Sequence, residues 1–102
     1  MIRKFVIATE ALTQQQEREL GSFLSEYGTW WHWLSNIWLL RTEKDSITTN
    51  TIRSKIESLN EVSDIMILEI NGVKSYSGMA PKSSAEQSRS WISKYFFDRD
   101  ET

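Results

Sequence analysis

The stretch GTWWHWLSNIWLL, Gly28 to Leu40, constrains this chain more than any other, because it holds Trp30, Trp31, Trp33 and Trp38, four of the five tryptophans, and His32, the only histidine. So much aromatic surface must be core, a ligand platform or a seam for another protein, since large apolar patches are seldom left in water. Trp30, Trp33, Leu34, Ile37 and Trp38 also fit a helical stripe. Three features favour strands instead: aromatics prefer them, Ser35 and Asn36 are turn formers near the midpoint, and each arm is about strand length. A two-residue turn at Ser35–Asn36 then pairs Leu34 with Ile37, Trp33 with Trp38, His32 with Leu39, Trp31 with Leu40 and Trp30 with Arg41. Opposed residues share a face, so Trp31, Trp33, Trp38 and Leu40 are expected on one side of the hairpin. Trp30, His32, Leu34, Ile37, Leu39 and Arg41 are expected on the other.

Around the hairpin the pattern alternates between elements. Ile2 to Thr9 is β-branched and aromatic with apolar side chains on both alternating sets, as in a central strand covered on both faces. Thr13 with Gln16 makes a capping box for a helix carrying Leu20, Phe23, Leu24 and Tyr27, which Gly28 is expected to close. After the polar RTEKDS, Thr48 or Thr49 caps a second helix with Ile52, Ile56 and Leu59 on one face and Asn60 as its stop. IMILEI follows Asp64 as another strand apolar on both sets, and Asn71-Gly72 predicts a tight turn into a weaker strand, Val73 to Ser77. Gly78, Pro81 and neighbouring serines mark a loop. Ser83 with Glu86, or Ser84 with Gln87, opens a third helix striped by Trp91, Ile92, Tyr95 and Phe96, followed by the charged tail DRDET.

This order predicts an α+β chain: a ferredoxin-like βαββαβ sandwich with an appended β-hairpin strand and a C-terminal helix. Residues 1–80 would form the ferredoxin-like domain and residues 81–102 the amphipathic helix and tail. Two helices cover only one face of such a sheet, yet the other face is also apolar. Either the third helix folds back with Trp91, Ile92, Tyr95 and Phe96 against it, or a second chain covers it.

The totals exclude several classes. A chain of 102 residues holds one modest core. Twelve Lys and Arg against fourteen Asp and Glu give a net charge of -2, which disfavours binding by phosphate neutralisation. With no cysteine there is no disulfide framework and no thiolate metal site. The apolar runs fall far below the roughly 20 residues of a membrane span, so a cytoplasmic protein with no membrane partner is expected.

With FVIATE on the first strand, NIWLL on the third and a trailing hairpin after IMILEI, residues 2–77 resemble the small CRISPR-associated nuclease-like subunits and their antitoxin relatives. The resemblance implies a homodimer formed through the sheet and, for the antitoxin and defence-associated relatives, a protein or RNA target. The nuclease-like members place an aspartate at the end of the first strand for a divalent metal. Here Thr9 and Glu10 stand there. RNA-recognition modules share the element order and carry stacking aromatics on the first and third strands, where Phe5 and Trp38 lie. SNIWLLRTE, however, has neither the glycine nor the aromatic run of their motif.

Candidate chemistry is sparse. His32 can move a proton, but no second imidazole or thiolate exists to complete a metal site, which favours a packed or interfacial role. Glu10, Glu43, Asp45 and Asp64 fall near strand ends and could gather a magnesium ion, or be ordinary solvated loop charges; Glu10 is the metal candidate. No GxSxG elbow is present, and Gly21, Gly28, Gly72 and Gly78 are too dispersed for a phosphate loop. The expectation is a small non-enzymatic interaction module without cofactor, homodimeric and of antitoxin or defence-associated type. Its surface would comprise Trp30, His32, Trp33, Trp38, Arg41, Trp91 and Tyr95. The alternative is a nucleic-acid-binding protein or a metal-dependent nuclease.

Overall fold

A computed structural model of the chain describes residues 2–10, 12–61, 63–71, 73, 87 and 90–97. The strands are β1 (Arg3–Thr9), β2 (Gly28–Leu34), β3 (Ile37–Thr42) and β4 (Ile65–Ile70), and the helices are α1 (Gln14–Ser25) and α2 (Thr49–Leu59). The four strands form one antiparallel sheet in the order β2-β3-β1-β4. Together they make an α+β protein. Of the expected fifth strand, Val73 to Ser77, residues 74–77 lie outside the described residues, and Val73 itself is not in a strand.

Local chemistry sets the element boundaries. Thr13 Oγ1 accepts from the Gln16 N–H at 3.2 Å while Gln16 Oε1 accepts from the Thr13 N–H at 2.9 Å, so two orphan donors at the start of α1 are satisfied together. Thr48 and Thr51 make the same reciprocal pair at α2, and Asn60 caps its end. At the other end of α1 the expectation fails. The helix stops at Ser25 with Glu26 as its cap, and Gly28 is instead the first residue of β2. A Cβ on Gly28 would lie 2.1 Å from the Arg41 carbonyl oxygen, so the glycine is needed for close strand approach rather than for a helix stop.

Register assigns the faces. Phe5 and Ile7 of β1 lie across from Leu40 and Trp38 of β3, and these four join Leu20 and Leu24 of α1 and Ile52 and Ile56 of α2 in one buried cluster. Ile65 and Ile67 of β4 pack against that cluster. Lys4, Val6, Ala8, Leu39, Arg41, Met66, Leu68 and Ile70 therefore point to the opposite face.

The hairpin register corrects the sequence expectation. Leu34 does pair with Ile37, but Trp31 pairs with Leu39 and Trp30 with Leu40, because the ladder shifts between Trp31 and Leu34. Three steps along β2 match two along β3, a bulge that leaves one extra residue. Trp30 consequently joins Trp38 and Leu40 on the helix side, and Trp31 lies with Leu39 on the far side, the reverse of the unbulged pairing.

One polar clamp ties distant segments together. Arg3 donates from Nε and Nη2 to the two carboxylate oxygens of Glu69 at 2.9 and 3.0 Å, and from Nη1 to the carbonyls of Ile47 at 2.6 Å and Lys44 at 3.2 Å. The first strand is thus fixed to β4 and to the loop entering α2. The Arg3 hydrogen bond holds the Glu69 carboxyl below its ordinary value of 4.5. A depressed carboxylate contributes stability that is complete above its unfolded pKa and disappears as pH falls through the folded one. Thermal melts below about pH 4.5 should therefore lose up to about 1 kcal/mol that Glu69→Gln, already lacking the charge, does not lose. Parallel acid curves for the two proteins would contradict that contribution.

Candidate interaction surface

The aromatic hairpin divides into an inner stack and an exposed tip. Trp38, 1% exposed on a central strand, is the largest fully buried side chain. His32 stacks on it with ring centroids 3.7 Å apart and planes within 9°, and Trp30 tilts against it at 5.3 Å. His32 Nδ1 lies 3.0 Å from the Ile37 carbonyl, which can only accept, so that nitrogen carries the proton. Its Nε2 is 3.4 Å from Glu17 of α1. Trp30 donates from Nε1 to Ser25 Oγ at 2.8 Å and lies against the Cα of Gly21, where an added Cβ would meet the ring at 2.9 Å. Trp38 Nε1 has no hydrogen-bond partner among the described residues. These three residues, expected as surface, form a wall between β3 and α1.

At the tip, past the bulge, Trp33 and Leu34 are 45% and 51% exposed. Arg41 lies on the far face beside Glu43, its Nη1 3.6 Å from the carboxylate. Neither tip residue contributes to the buried core cluster.

The far face receives the chain's own C-terminal segment. Trp91 donates from Nε1 to Thr29 Oγ1 at 2.8 Å, Phe96 is buried, and Lys4 lies over the Phe96 ring at 5.9 Å. Residues Ile92–Phe96 form a π-helical turn in which the Phe97 N–H donates to the Ile92 carbonyl at 2.7 Å. In an α-helix Trp91 and Phe96, five residues apart, would point about 140° away from each other. The wider i→i+5 turn brings their rings to 5.7 Å and turns both toward the sheet. Tyr95 packs on Trp91 at 5.7 Å with Lys94 over its ring. The expected N-terminal part of this helix, from Ser83 or Ser84, lies outside the described residues.

The carboxylates do not converge. Glu10 follows β1 and its N–H donates to the Asp64 carbonyl at 3.1 Å, which places those two at one end of the sheet. Glu43 and Asp45 follow β3, whose last residue, Thr42, pairs with Arg3 at the start of β1, so they sit at the other end. Roughly 20 Å of strand separates the two pairs. Among the described residues no group of three or more His, Cys, Asp or Glu side chains is placed to hold a metal ion.

Several contributors carry no distinguishing signal in the sequence. Thr29 anchors Trp91, Lys4 roofs Phe96, and Met66 and Leu68 are the apolar residues of β4 that stay exposed. Alternation in IMILEI signals two apolar faces but not which one is left open. No helix among the described residues is long and apolar enough to cross a membrane. Comparison with protein-family models, curated proteins and solved structures finds no match to this chain.

Proposed function

We propose that this chain is a small non-enzymatic protein-interaction module, homodimeric and cytoplasmic, of antitoxin or defence-associated type. The observation that carries the reading is the exposed Trp33–Leu34 pair at the hairpin tip, presented by a bulge whose neighbouring residues are locked into the core. Half-exposed tryptophan on a rigid mount is the kind of anchor on which binding energy concentrates, because little conformational entropy is lost when a partner closes over it. Element order and the strand order β2-β3-β1-β4 support a ferredoxin-like description. The antitoxin or defence-associated type rests on the topological resemblance of residues 2–77 alone.

Tagged protein isolated from its native cells at moderate salt should retain a stoichiometric protein partner. Trp33→Ala should weaken that association at least tenfold, in line with the 2 kcal/mol or so typical of a hot-spot residue, without altering the melting temperature. Co-purified nucleic acid with no protein partner would sink the reading and favour the single-strand binder instead.

A further inference from the structure

Among the described residues the sheet has two free edges, and they are finished differently. At β2 the bulge between Trp31 and Leu34 interrupts the ladder, one of the devices by which natural sheets prevent another strand from adding. At β4 no such device is present among the described residues. The strand pairs with β1 through six consecutive residues without a shift, contains no proline or lysine, and pairs with nothing else among the described residues. Its one charge, Glu69, is neutralised by the fork of Arg3. Met66 and Leu68, on the face opposite the helices, remain 60% and 50% exposed, while the C-terminal turn covers the side of that face over β3 and Lys4.

We propose that the β4 edge is where two copies of this chain meet, β4 pairing antiparallel with β4 about a two-fold axis to continue the sheet. This rests on the homodimeric part of the functional reading and names its interface. A two-fold axis perpendicular to the sheet keeps each face continuous, so opposed residues must share a face. With the axis at Ile67, Met66 of one copy lies opposite Leu68 of the other, twice, and the exposed side chains cover each other. The same register sets Glu69 opposite Ile65, so the two Glu69 side chains stand about 13 Å apart along the edge. That exceeds a Debye length of roughly 8 Å at physiological salt, and each is already paired with Arg3. Copies therefore approach without like-charge repulsion.

Sedimentation velocity over a concentration series tests this, with amide hydrogen exchange on β4 as a second readout. The native chain should show a concentration-dependent dimer, with β4 amides more protected as the dimer forms. Leu68→Lys, at an exposed position, should raise the dissociation constant at least tenfold while leaving the melting temperature unchanged at concentrations low enough for both proteins to be monomeric. Combining Met66→Lys with Leu68→Glu sets Lys opposite Glu at both pairs and should restore association beyond Leu68→Lys alone. A dimer indifferent to Leu68→Lys overturns the β4 interface but leaves the homodimer standing. A monomer at every concentration overturns both. Protection of β4 amides independent of concentration would mean that the edge is satisfied within one chain, and would also overturn the proposal.

Discussion

Trp38→Ala is expected to cost about 3–5 kcal/mol, the range for removing a large buried aromatic. The side chain sits on a central strand at 1% exposure, and His32 and Trp30 both rest on it, so truncation also removes the support that orders the inner half of the hairpin. Against a total stability of about 5–15 kcal/mol, this loss should lower the melting temperature by on the order of 20 °C. Trp38→Phe should lose less than half as much. Its ring can keep the stack, and the deleted Nε1–H has no partner among the described residues, so no hydrogen bond is given up. Equal losses for the two variants would show that the indole N–H is satisfied after all.

Gly28→Ala should be the most damaging small substitution, at about 3 kcal/mol or more, read as a lower denaturant midpoint. The new methyl would lie 2.1 Å from the Arg41 carbonyl oxygen and 3.0 Å from the Thr42 Cα, and both are backbone atoms that move only if β2 separates from β3. Separation would also strain the Thr42 hydroxyl bond to the Tyr27 carbonyl, 2.6 Å long, which closes the turn between α1 and β2. Gly21→Ala makes the informative contrast. There the methyl meets Trp30 Cζ2 at 2.9 Å, a side-chain atom that can shift, and alanine recovers about 1 kcal/mol of helix propensity. Its net effect should be small. A Gly28→Ala protein as stable as the native one would mean that the two strands do not approach closely at that pair.

Much of the fold could be read from local signals. The capping threonines, the Ser35–Asn36 turn and the two-sided strands need only short-range rules, and the starts of α1 and α2, the hairpin turn and the four described strands lie where those rules put them, whereas the end of α1 does not. The bulge leaves no trace in the sequence because both alternating sets of TWWHWL carry tryptophan, Trp31 and Trp33 on one and Trp30 on the other, so a one-residue slip leaves no clear break in the pattern. Gly28 is ambiguous in the sequence for a related reason: glycine serves helix ends and close strand contacts alike, and only the position of Arg41 decides between them. The site was less legible than the fold. Residue type groups Trp30, His32 and Trp38 with Trp33, but exposure depends on what α1 packs against, a tertiary fact that sequence spacing does not carry.

The bulge also gives the two arms of the hairpin unequal tolerance to changes in length. The first arm holds one residue more than the ladder requires, so removing Trp33 would leave Trp30 across from Leu40 and Trp31 across from Leu39, with the same side chains facing the helices. The second arm has no spare residue. Deleting Leu39 would turn Leu40 out of the core and push Arg41 into it. Natural length variation in this hairpin is therefore expected on the tryptophan-rich arm, at the residues that form its exposed tip.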